Sequence, residues 1–121
     1  MVTLLLPLSL GWIELRGYID ESGNRRFAQW LDGLDALAAA KVTIALSRIE
    51  QGNFSKVKGV GSGVFEYKID FGPGYRIYFG KDGDRLVILI GGGTKKRQPQ
   101  DIAEAQACWA AYKRRKRQEI Q

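Results

Sequence analysis

The spacing of apolar residues changes period along the chain, and each change marks an element boundary. Trp12 to Ile19 alternates apolar and polar positions and predicts a first strand, ended by the polar, glycine-containing segment Asp20-Glu21-Ser22-Gly23-Asn24. Phe27, Trp30, Leu31 and Leu34 then recur at helical spacing. After Asp32-Gly33, a second helix places Leu37, Val42, Ala45, Leu46 and Ile49 on one side, with Gly52 at its C′ position. The two form a helical hairpin with one apolar side, followed by a loop from Asn53 to Gly63.

From Val64 the period becomes two, with Phe65, Tyr67, Ile69 and Phe71 on one face and Glu66, Lys68 and Asp70 on the other. Tyr75, Ile77 and Phe79 repeat the pattern against Arg76 and Tyr78. With Gly72-Pro73-Gly74 as the loop, Phe71 pairs with Tyr75, Ile69 with Ile77 and Tyr67 with Phe79, and the polar face sets Asp70 against Arg76 and Lys68 against Tyr78. A turn at Asp82-Gly83 leads to Arg85–Ile90, apolar on both sides and therefore expected in the middle of the sheet. Pairing Lys81 with Asp84 puts Phe79 opposite Leu86 and Ile77 opposite Ile88. Gly91-Gly92-Gly93-Thr94 is expected to end that strand.

Pro99 suits the start of a last helix, with Asp101 and Glu104 near its positive end, Lys113 to Arg117 near its negative end, and Ile102, Ala105, Trp109 and Tyr112 as its apolar stripe. The order predicts one α+β domain over residues 12–117, an antiparallel sheet with the helical hairpin packed on one face and a C-terminal helix. Residues 1–11 form an extension of unassigned role and residues 118–121 a tail. The Leu4–Leu10 run has neither a preceding basic residue nor a following cleavage pattern, and is too short to span a bilayer.

Composition narrows the chemistry. The 121 residues suit one domain, and 45% apolar residues are enough to bury a core. The formal charge is +6, and it is one-sided: residues 1–50 carry five Lys/Arg against six Asp/Glu, whereas residues 51–121 carry fourteen against seven. Such a field favours polyanions or an acidic protein partner, with a solubilising surface as the plainer alternative. Cys108 is the only cysteine and there is no histidine, which excludes an internal disulfide, a Cys/His zinc site and histidine-based catalysis. A reducing cytoplasm is the expected compartment. Asp70, Asp82, Asp84 and Asp101 lack metal-site spacing, so no metal or other cofactor is expected.

The remaining candidates are cations that a sheet would gather: Lys68 and Arg76 on the hairpin, Lys56 and Lys58 on the loop entering it, and Lys95, Lys96 and Arg97 beyond the last strand. Cations suffice for RNA cleavage by the neighbouring 2′-hydroxyl, where a base takes one proton, positive charge stabilises the phosphorane and an acid protonates the leaving oxygen. Clustered lysines lower one another's pKa and supply the base, while arginine stays charged. Tyr78, on the polar face, is the candidate for base stacking or proton transfer. Plainer readings stand beside these: Arg76 as a cross-strand partner of Asp70, Lys56 and Lys58 as solvated loop residues, Lys113–Arg117 as a frayed helix end.

Phe71-Gly72-Pro73-Gly74-Tyr75-Arg76-Ile77-Tyr78-Phe79, followed by Leu89-Ile90-Gly91-Gly92-Gly93-Thr94-Lys95-Lys96-Arg97-Gln98 and Asp101–Ala105, resembles the RelE/ParE superfamily of bacterial toxins, and within it the phage-derived HigB-like addiction module killer branch. The resemblance covers about Trp12 to Tyr112. It implies the toxin of a type II toxin-antitoxin pair, held silent by a helix-turn-helix antitoxin. RelE-like members cut messenger RNA on the ribosome without a metal, using basic residues on the open face of the sheet. By position, the family's hairpin arginine falls on Arg76, its strand lysine on Lys68 and the basic residue after the central strand on Lys95 or Lys96. Asp70 stands where the best-known pattern has a second lysine. A ParE-like gyrase inhibitor without nuclease chemistry, and a degenerate RNA-binding domain, are the alternative expectations.

Overall fold

The computed structural model describes residues 12–120, so the extension over residues 1–11 lies outside the described residues. The chain runs β1 (Glu14–Gly17), α1 (Arg26–Asp32), α2 (Ala36–Glu50), β2 (Val57–Gly59), β3 (Val64–Ile69), β4 (Tyr75–Lys81), β5 (Leu86–Thr94), a 3-10 turn (Lys95–Arg97) and α3 (Gln98–Ile120). The strands form one sheet in the order β1-β5-β4-β3-β2, antiparallel except for the β1–β5 pair. This α+β architecture, with two helices before the hairpin and a long helix after it, is compatible with a RelE-like fold.

The helices begin and end where their chemistry dictates. Asp35 caps α2 by accepting the Ala38 amide at 2.8 Å, and Gly52 follows the helix at φ 78°, a left-handed conformation that glycine adopts without strain. Val42, Ala45 and Ile49 of α2, with Phe27 of α1, pack on the sheet face formed by Tyr67, Ile69, Ile77, Phe79, Val87 and Leu89. Leu37, expected on that apolar side, is exposed; Ala38 takes the buried position instead. On the opposite face, Ala105 and Trp109 of α3 cover Val64, Tyr78, Ile88 and Ile90.

Both turns set registers other than those expected. Across β3–β4, Lys68 lies opposite Arg76, Tyr67 opposite Ile77 and Glu66 opposite Tyr78. The connection takes in Asp70 and Phe71 as well as Gly72-Pro73-Gly74, and Gly74 N donates to Phe71 O at 3.0 Å to close it. This two-residue slip preserves the faces but moves every pair, so Asp70 no longer faces Arg76.

Across β4–β5, Phe79 lies opposite Leu89 and Lys81 opposite Val87, a slip of three. An odd slip exchanges faces: Val87 and Leu89 join Phe79, whereas Leu86, Ile88 and Ile90 turn toward α3. A strand apolar on both sides tolerates the exchange. Ile90 is then the extra residue of a bulge at Tyr78/Phe79, which returns Gly92 to a place opposite Ile77.

The glycine run continues the strand rather than ending it. A Cβ on Gly92 would lie 2.3 Å from the Trp30 ring, and one on Gly93 would lie 1.9 Å from Asp101 Oδ2, so bare backbone there admits a helix from each side of the sheet. The segment expected as loop also contributes a strand, β2, with Lys58 opposite Glu66 at the sheet edge.

Candidate nucleic-acid interface

Strand alternation puts Lys58 of β2, Glu66 and Lys68 of β3, and Arg76 of β4 on the α3 side of the sheet. Lys56 precedes β2, where its carbonyl accepts the Lys68 amide at 3.2 Å, and so joins the same corner. The 3-10 turn presents exposed Lys95, Lys96 and Arg97 where β5 leaves the sheet beyond Arg76's neighbour Gly93. The hairpin tip and this turn also touch directly, since Lys95 N donates to Pro73 O at 3.4 Å.

Within this group the charges are paired unevenly. Arg76 is only 5% exposed and Glu66 only 1%. Arg76 Nη1 donates to Gly74 O at 2.8 Å, and its Nε lies 3.7 Å from Glu66 Oε2. The same Glu66 oxygen accepts from Gln98 Nε2 at 2.7 Å, while Lys58 Nζ stands 3.7 Å from Oε1. Glu66 thus joins strand, hairpin and the start of α3, and it is the residue that a reading of the sequence overlooked. Its signal was the alternation that placed it on the face of Lys68, but the expected register set Asp70 against Arg76 instead.

Asp70 serves the lysines. Its oxygens lie 3.5 Å from Lys68 Nζ and 3.8 Å from Lys56 Nζ, with all three side chains largely in solvent. Lys56, Lys58, Lys68, Glu66 and Asp70 line a cleft of about 280 Å³. Among the described residues Lys95 and Lys96 form no ion pair, whereas Arg97 is drawn to Asp101 at 3.8 Å and Glu104 at 4.0 Å.

Tyr78 is not on an open surface. Packing against α3 leaves it 1% exposed, so its ring offers no platform for a base, and burial followed by the adjacent Glu66 carboxylate pushes its phenol far above the usual range. Among the described residues Tyr78 Oη, Asp101 Oδ2 and Arg76 Nε are buried without a hydrogen-bond partner. Beside Tyr78 and Asp101 lies a cavity of about 20 Å³, room for a single water. Burial also raises the Asp101 carboxyl above its ordinary value.

Among the described residues no group of His, Cys, Asp and Glu side chains comes together as a metal site, and no helix is long and apolar enough to cross a membrane. The arrangement therefore offers fixed positive charge at a sheet corner, with a buried arginine and carboxylate behind it.

No protein-family model matches the chain. An uncharacterized protein of Haemophilus influenzae is 44% identical over 80 residues, a stretch that takes in 65% of this chain and 81% of that protein. Identity of that degree over most of the relative's length leaves common descent as the explanation, and the chain belongs to the family of this H. influenzae protein.

Proposed function

We propose that the chain is the toxin of a type II toxin-antitoxin pair and acts as a ribosome-dependent, metal-independent endoribonuclease on messenger RNA. The observation that carries this reading is the collection of exposed Lys56, Lys58, Lys68, Lys95 and Lys96 around Arg76 at one corner of the sheet. The resemblance of the hairpin and glycine-lysine segments to the RelE/ParE toxins supplies the substrate class.

In this reading the lysines hold the scissile phosphate, and Arg76 adds positive charge from behind the cleft. A lysine amine takes the 2′-hydroxyl proton as that oxygen bonds to phosphorus. The P–O5′ bond breaks, the leaving oxygen gains a proton, and the products are a 2′,3′-cyclic phosphate and a 5′-hydroxyl. Lys68, beside Arg76 in register, and Lys95 and Lys96, across the corner from it, are the groups assigned to hold charge and move protons. The partner that silences it is an antitoxin, expected to be of helix-turn-helix type.

Induction of the chain in bacterial cells, followed by primer extension on translated messages, tests the reading. New 5′ ends in phase with codons, lost when translation is blocked, are expected. Intact transcripts accompanied by chromosomal breaks would instead indicate a ParE-like gyrase poison. The enclosure of Arg76 favours one further alternative, an RNA-binding domain that does not cut; unchanged growth and intact messages on expression without an antitoxin would identify it.

A further inference from the structure

A second cleft, of about 190 Å³, adjoins the first. It lies between α2 and the end of β3, with Lys41, Ile44 and Arg48 on one wall and Tyr67, Ile69 and Phe71 on the other. Lys56, Lys68 and Asp70 line both clefts, so the two meet at the edge of the sheet. Lys41 and Arg48 sit two helical turns apart on the same side of α2. Among the described residues no carboxylate forms an ion pair with either, and Lys41 Nζ instead lies 5.2 Å from the centre of the half-buried Phe71 ring. Four cations thus surround this cleft against a single carboxylate, Asp70, which the lysines of the lip already engage.

We infer that Lys41 and Arg48 form a second phosphate subsite, so that single-stranded RNA held at Lys56 and Lys68 continues over the sheet edge onto α2. The inference rests on the RNA reading above and extends it to helix residues that no strand pattern singled out. It explains why Lys41 and Arg48 recur on the side of α2 that lines the cleft, with the exposed Ile44 between them.

Binding of fluorescein-labelled oligouridylates of four and twelve nucleotides, followed by anisotropy at several salt concentrations, tests it. The wild-type chain is expected to bind the longer strand more tightly. Lys41→Ala/Arg48→Ala should lower the twelve-mer affinity by about 25-fold at 0.1 M salt and reduce the salt slope by ~1.4, since each lost single-strand phosphate contact removes about 0.7. Its binding of the four-mer should be unchanged, and Lys41→Arg/Arg48→Lys should retain the length dependence. A double alanine variant that keeps the wild-type preference for the longer strand, or that loses both lengths equally, overturns the second subsite alone. A wild-type chain that binds neither oligomer overturns this inference, whereas the ribosome-dependent reading falls only if codon-phased 5′ ends fail to appear on induction.

Discussion

Arg76 stands directly opposite Lys68, yet the carboxylate it faces belongs to Glu66, two residues along β3, with Nε 3.7 Å from Oε2. Two adjacent cations, one enclosed, are tolerable because a buried anion lies diagonally across the strands. Removing one member of such a buried pair strands the other, a loss of about 3–5 kcal/mol. Glu66→Ala should therefore destabilise the fold by ~3 kcal/mol in urea unfolding, with much of the loss recovered in Glu66→Ala/Arg76→Met. Lys68→Ala removes only an exposed pair with Asp70, and should cost under about 1 kcal/mol. Equal losses for Glu66→Ala and Lys68→Ala would contradict the assigned pairing.

Glycine positions in the sheet should respond according to what covers them. A Cβ on Gly80 would come within 2.5 Å of the Trp109 ring and one on Gly92 within 2.3 Å of Trp30, whereas Gly91 has nothing within 4 Å. Overpacking of this kind costs about 1–3 kcal/mol. Gly80→Ala and Gly92→Ala should lower the midpoint of thermal unfolding and alter near-ultraviolet circular dichroism, and Gly91→Ala should do neither.

Acid stability should depend on Asp82. Hydrogen bonds from Lys116 and then Tyr112 hold its carboxyl below the usual value. A depressed folded-state pKa gives stability that is present above the unfolded value, about 3.9, and is lost as pH falls through the folded one. Tyr112 behaves oppositely: burial, then its bond to Asp82, pushes its phenol up to about 12. That contribution is complete below the unfolded value of about 10 and is lost as pH rises through about 12. Asp82→Asn should flatten the acid limb of stability measured against pH between about 5 and 2, and Tyr112→Phe the alkaline limb.

The cations at the corner should not contribute equally to RNA binding. Arg97 is shared between Asp101 and Glu104, so Arg97→Ala should leave the salt dependence of binding nearly unaltered. Lys96→Ala, at a neighbour with no ion pair among the described residues, should reduce the salt slope by about 0.7. Matching slopes for the two variants would show that their ion pairs do not govern their availability.

Elements were legible in the sequence where one residue type decides the local outcome. Asp35 and Gly52 bracket α2, and the alternation in β3 and β4 sets their faces. Lys68 and Arg76 share a face in either register because the slip between the two is even, although their direct pairing was not expected. What escaped notice depends on distant partners. β2 exists only through its pairing with β3, and the glycines of β5 persist because Trp30 and Asp101 come down on them. Tyr78 reads as surface until α3, contributed by residues much later in the chain, closes over it. Glu66 had the right face but no visible partner until the register joined it to Arg76 and Gln98.

The parallel pairing of Glu14–Gly17 with Leu86–Leu89 has a temporal consequence. The earlier segment cannot take its place until one 72 residues further along the chain emerges, and joining them closes the longest loop in the sheet. The hairpin bearing Lys68 and Arg76 assembles from neighbouring sequence and can form first, whereas β1 docks late. Nascent chains that stop before Leu86 would carry the charged hairpin with the inner edge of β4 uncovered, a species prone to pair with other chains before it could act.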